Sequence, residues 1–140
     1  MSGQEEATEQ WLRSFIEEHG GVAGTVHRVS SDNPDLLELA AAVNIPPKVL
    51  QVTAKIPRGK GMAGLALERD QPVATCNLST DETGDVRPGA KAVDAQGAVA
   101  LPVHGEGGTT RAVVGIAYMG ERDFTDDELA ALGERAASVP

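Results

Sequence analysis

Aromatic side chains make up only 3 % of this 140-residue chain, and Trp11, Phe15, Tyr118 and Phe124 are all of them. The core must therefore come from valine, leucine, isoleucine and alanine, within a hydrophobic content of 41 %. Basic residues are also in the minority, 12 against 21 acids for a net charge of −9. Phosphate contacts need a basic face, so an acidic chain this poor in aromatics excludes nucleic acid as a partner. A single cysteine, Cys76, cannot close an internal disulfide and suits a reducing compartment. No apolar run approaches the ~20 residues that a membrane-spanning helix needs. The opening MSGQEEATEQ is acidic where a secretory leader is basic and then apolar. These absences predict a soluble cytoplasmic protein without membrane contact, and 14.5 kDa predicts one domain, residues 1–140.

What charge there is collects at the ends. Residues 1–20 hold five glutamates against Arg13, and residues 121–140 hold six acids against Arg122 and Arg135. Both ends read as helices. Trp11, Leu12, Phe15 and Ile16 make an apolar stripe among the glutamates, stopped by Gly20-Gly21. Thr125 and Glu128 form a capping box ahead of Leu129, Leu132 and Ala136. Between the ends, GTVHRVS alternates imperfectly as a strand and runs into the turn-rich SDNPD. LLELAAAVN has helix-forming residues, yet its place after that turn and before Pro46-Pro47 equally fits a hairpin partner. PPKVLQVT reads as a short helix begun by proline, QPVATCNL as a strand, and GAVALPV with RAVVGIAYM as a hairpin. Terminal helices around hairpins predict an α+β domain with a mostly antiparallel sheet.

Residues 59–64, GKGMAG, spell a literal GxGxxG, the spacing of a dinucleotide-binding turn, with Asp81 about where a ribose-binding acid would lie. Its context argues against that use. Pro57 and Arg58 stand where the first strand should run into the glycines, and proline gives no N–H to a central ladder. A helix from Met62 must close by about Asp70, ahead of Gln71-Pro72, which is short for a crossover in a parallel unit.

The ordered segments IPRGKGMAGLALERDQPVATCNL, GAVALPVHGEGGTTRAVVGIAYM and FTDDELAALGERAA resemble the GAF domain family from about Trp11 to Ala137. The resemblance implies a GAF-like (PAS/profilin-like) fold: a central antiparallel sheet, terminal helices on one face, and on the other a ligand pocket covered by short helices and loops. It makes LLELAAAVN a strand. It also implies a sensory or regulatory module that binds a small molecule and acts through a homodimer or a signalling partner, with no cofactor. The terminal-helix residues Trp11, Leu12, Phe15 and Leu129 would then serve a dimer.

Within that frame Gly59, Gly61 and Gly64 allow a tight turn and close helix packing, and leave helix-start N–H groups free for a ligand. Gly61, Met62 and Ala63 are candidate ligand contacts for that reason. Half of the basic residues, Lys55, Arg58, Lys60, Arg69, Arg87 and Lys91, fall between positions 55 and 91. The long loop CNLSTDETGDVRPGAK adds donors, and Asn77, Asp81, Arg87 and Lys91 complete the candidate set for a small anionic or polar ligand. The bland alternative is a solvated loop on a docking or dimerisation module whose pocket is filled by its own side chains.

An enzyme reading exists in the same family. Free methionine-(R)-sulfoxide reductases carry catalytic cysteines in segments that here read GKGMAGLA and RPGAKAVDAQGA, both without cysteine. A lone Cys76 cannot complete a disulfide-forming cycle within one chain. His19, His27 and His104 are scattered with no ligand spacing, so no metal site is expected, and no nucleophile motif appears. No catalytic residue is assigned.

Overall fold

The computed structural model describes residues 3–75, 97–120 and 123–140. Helix α1 spans Gly3–Glu18, with Leu12 and Phe15 fully buried and Ile16 nearly so. It ends as the double glycine requires. Gly20 takes φ +72°, its N–H donates to the Glu17 carbonyl at 3.3 Å, and the Gly21 N–H reaches back to Ile16 at 2.9 Å. That pair of bonds satisfies carbonyls the helix end would otherwise leave open.

Strands β1 (Ala23–Val29), β2 (Leu36–Val43), β3 (Lys55–Pro57), β4 (Val73–Thr75), β5 (Gly97–His104) and β6 (Thr110–Tyr118) form one sheet in the order β3-β2-β1-β6-β5-β4. Every neighbouring pair is antiparallel. Helix α2 (Pro47–Thr53) links β2 to β3, α3 (Gly61–Arg69) links β3 to β4, and α4 (Asp126–Ala136) follows β6. LLELAAAV is thus a strand despite its alanines and leucines. It is held between β1 and β3, where pairing outweighs local helix propensity.

Period-two alternation assigns strand residues to faces, except across the bulge of β2 opposite Val26 and His27, which puts Leu37 and Ala41 on opposite faces. On the first face Val26, Val99, Leu101, Val103, Val114, Ile116 and Tyr118 pack with Leu12, Phe15, Ile16, Leu132 and Ala136 of the terminal helices. Burying Phe15 or Leu12 there is worth about 1.5–3 kcal/mol each. On the second face Leu37, Ile56, Val73, Ala100 and Val113 pack with Ala66 and Leu67 of α3. Both faces are covered, so β5 and β6 read as nearly continuous apolar runs. The same cover explains the imperfect alternation of β1. Val26 belongs to the first face and Val29 to the second.

Of the four residues expected to serve a dimer, Trp11 and Leu129 are partly buried against the core. Leu12 and Phe15 lie in the core, while Trp11 stacks on Phe15 and donates from Nε1 to Ser138 at 2.9 Å. Helix α4 begins as its capping box requires, with Thr125 Oγ1 accepting from the Glu128 N–H at 3.1 Å.

Candidate functional site

The glycine motif sits at the turn from β3 into α3. Gly59 and Gly61 take φ +82° and +65°, left-handed values that favour glycine. The turn closes on itself: Gly59 N–H donates to Gly64 O at 2.9 Å and Lys60 N–H to Pro57 O at 3.1 Å. Gly64 has a different role. A Cβ there would stand 2.5 Å from the Pro57 oxygen, so only glycine lets α3 lie this close to β3. The spacing that mimics a dinucleotide turn therefore arises from two left-handed positions and one contact between helix and edge strand.

Lys60 caps α3 with extended backbone and no side-chain hydrogen bond. The amides of Gly61, Met62 and Ala63 consequently begin the helix without intrahelical acceptors. Met62 and Ala63 are half-buried over the second face; Met62 packs both with the Leu37–Val113 cluster and with Ala23, Ala98 and Ala117. Of the sequence candidates, the structure thus groups Gly61, Met62 and Ala63. Asn77, Asp81, Arg87 and Lys91 lie outside the described residues, as does Cys76.

Part of the basic cluster is structural. The Arg58 Nε donates to Asp35 Oδ1 at 2.7 Å, and its terminal nitrogens reach the carbonyls of Leu67 and Pro34 at 3.3 Å each. This guanidinium fastens the β1–β2 turn to α3, so it is not a free ligand contact. Lys55 and Lys60 are exposed.

The sheet beneath is built of small side chains. Ala98 and Ala100 on β5 stand beside Ala117 and Gly115 on β6, and Ala23 faces Ala117 from β1. Three polar side chains share the face: Thr25 half-buried, His27 and Thr75 buried. His27 is the residue that sequence reading passed over as one of three scattered histidines. Its Nε2 lies 2.8 Å from the carbonyl oxygen of Thr53 at the end of α2. Burial pushes its pKa below the usual imidazole value, opposed in part by that carbonyl, so the ring is neutral. The available signal was the period of β1, which places Thr25, His27 and Val29 on one face.

The other histidines are elsewhere. His19 Nδ1 is 2.9 Å from the Phe15 carbonyl, one turn back in α1. His104 Nε2 is 2.6 Å from Asp70 Oδ1, which also accepts from Thr110 at 2.9 Å. Those two hydrogen bonds, Thr110 first, hold the Asp70 carboxyl below its usual pKa. The pair ties the C-terminal end of α3 to the β5–β6 hairpin in an exposed position. Among the described residues no three His, Cys, Asp or Glu side chains gather as metal ligands, and no helix is long and apolar enough to cross a membrane.

Solved structures share this architecture. Free methionine-R-sulfoxide reductase from Neisseria meningitidis, in complex with its substrate, matches with a TM-score of 0.75 and 19 % identity over 95 % of this chain and 73 % of that one. The GAF domain of a phosphoenolpyruvate-protein phosphotransferase from Coxiella burnetii matches with 0.73 and 19 % over 99 % and 83 %. Type II free methionine-R-sulfoxide reductase from Thermoplasma acidophilum matches with 0.72 and 16 % over 95 % and 89 %. At these identities the likeness is one of fold. No curated protein sequence matches the chain. The family model described as GAF domain matches residues 3–139, and with the six-stranded sheet between its two helical layers the chain belongs to the GAF domain family.

Proposed function

We propose that this chain is a sensory or regulatory module that binds a small polar or anionic molecule on the second face of its sheet and passes the signal to a second copy or a partner protein. The observation that carries the reading is the contrast between the two faces. The first is filled by leucine, phenylalanine, isoleucine, valine and tyrosine. The second has Leu37, Ile56, Leu67, Val73 and Val113 under α3, and beside that cluster a patch of Ala23, Ala98, Gly115 and Ala117 with Thr25, His27 and Thr75. The polar side chains among these small ones give a ligand something to recognise. The helix-start amides of Gly61, Met62 and Ala63 favour an acceptor or carboxylate on the ligand. Arg87 and Lys91 join the reading from the sequence alone, as donors for the same group.

The reading assigns no catalysis. The segments that would carry reductase cysteines have none. The test is a thermal-shift screen of small anions, amino acids and nucleotides. A melting shift that saturates with one compound supports the sensor, whereas shifts from none of them favour a docking module with a filled pocket.

A further inference from the structure

His27 stands in the middle of β1 with only 2 % of its surface exposed. Its partner at Nε2 is the Thr53 carbonyl, 2.8 Å away, and a carbonyl oxygen only accepts. The ring hydrogen is therefore on Nε2, and Nδ1 keeps a lone pair. That nitrogen is buried and has no hydrogen-bond partner among the described residues. A buried acceptor left in this state carries its desolvation cost without a compensating bond. Its neighbours across the ladder, Leu39 on β2 and Val113 on β6, offer neither a hydrogen nor a charge. The tautomer is fixed from 26 residues away by the end of α2, so the lone pair is set before any ligand arrives.

Resting on the ligand-binding reading above, we propose that His27 Nδ1 is the residue that selects the ligand: it accepts a hydrogen bond from an N–H or O–H of the bound molecule. The ligand is accordingly a small molecule with a donor group, uncharged or zwitterionic at that end. An inorganic anion without hydrogens presents only lone pairs to Nδ1 and is rejected there.

The test uses the full chain labelled with nitrogen-15, long-range proton–nitrogen correlation of the imidazoles, and two probes. Acetamide has amide hydrogens; N,N-dimethylacetamide has the same carbonyl and none. The expected result is an unprotonated Nδ1 that moves saturably with acetamide and stays put with the dimethyl compound. His27→Gln keeps an N–H donor for Thr53 and takes the acceptor away from the Nδ1 position, its one acceptor being the amide oxygen on the terminal carbon. It is expected to weaken acetamide binding about tenfold, read at the backbone amides of Gly115 and Ala117. If that variant does not fold, the wild-type Nδ1 titration decides alone. An Nδ1 already bonded to an internal water and unmoved by either probe overturns the proposal, as does an equal response to both. Acetamide that perturbs Gly115 and Ala117 without moving Nδ1 overturns the role of His27 alone and leaves the ligand-binding face standing.

Discussion

Replacing Gly64 with alanine tests why the glycine motif exists. The added Cβ would lie 2.5 Å from Pro57 O, 3.2 Å from Gly59 N and 3.3 Å from Ile56 Cγ2. Reaching ordinary contact requires α3 to move away from β3 by about 0.9 Å. The two closest obstacles are backbone atoms, and Pro57 O already accepts the Lys60 N–H. Overpacking of this kind costs about 1–3 kcal/mol, here toward the upper end. Alanine regains about 1 kcal/mol of helix propensity. The expected net loss is about 2 kcal/mol, or about 6 °C in melting temperature for a domain of this size. Gly133 is the control, because it also sits in a helix but has nothing within 4 Å of its Cβ position. Gly133→Ala should gain about 1 kcal/mol and raise the melting temperature by about 3 °C. Thermal unfolding followed by circular dichroism reads both. A Gly64→Ala protein as stable as wild type would refute the account of the motif as helix-to-strand packing.

Other outcomes follow from particular contacts. Thr125→Ala removes the acceptor for the Glu128 N–H and should cost about 1 kcal/mol in a urea titration; an unchanged midpoint would show that the cap contributes nothing. His27 is held neutral by burial, so below its ordinary value near ~6.5 the unfolded chain binds a proton that the folded chain refuses. Stability should fall as pH drops below ~6.5, by at most about 1.4 kcal/mol per pH unit from this residue, until the folded pKa is reached. His27→Gln should flatten that slope, and parallel slopes in the two proteins would contradict the assignment. A homodimer would meet the repulsion of acidic terminal helices, so its fraction in sedimentation should rise with salt; a monomer at high salt would leave only the partner-protein route. No turnover is expected with free methionine sulfoxide and a thiol reductant, and turnover lost in Cys76→Ser would reverse the non-catalytic reading.

The fold was largely legible because its signals are local. The Gly20 stop, the Thr125 cap and the two strands of the β5–β6 hairpin each follow from residues close in sequence. β2 required the family resemblance, since alanine and leucine favour helix and only pairing with β1 and β3 makes LLELAAAV a strand. The motif at 59–64 was read correctly as something other than a dinucleotide turn, but the part played by Gly64 depends on where the Pro57 carbonyl points. Arg58 counted toward the basic cluster because its charge is visible in sequence while its partners at Asp35, Pro34 and Leu67 are not. Leu12 and Phe15 were offered to a dimer for a similar reason: an apolar stripe says that a helix face is covered and not by what. His27 was missed because its meaning rests on one distant carbonyl and on a nitrogen without a hydrogen-bond partner among the described residues.

Native mass spectrometry of the purified protein, set against its mass after denaturation, tests the central claim most directly. The ligand-binding account predicts a small mass retained in the native state, either as isolated or after incubation with the compound that shifts the melting temperature, and lost on denaturation. A bare chain under both conditions, with no stabilising compound found, would contradict it and make this GAF domain a docking module.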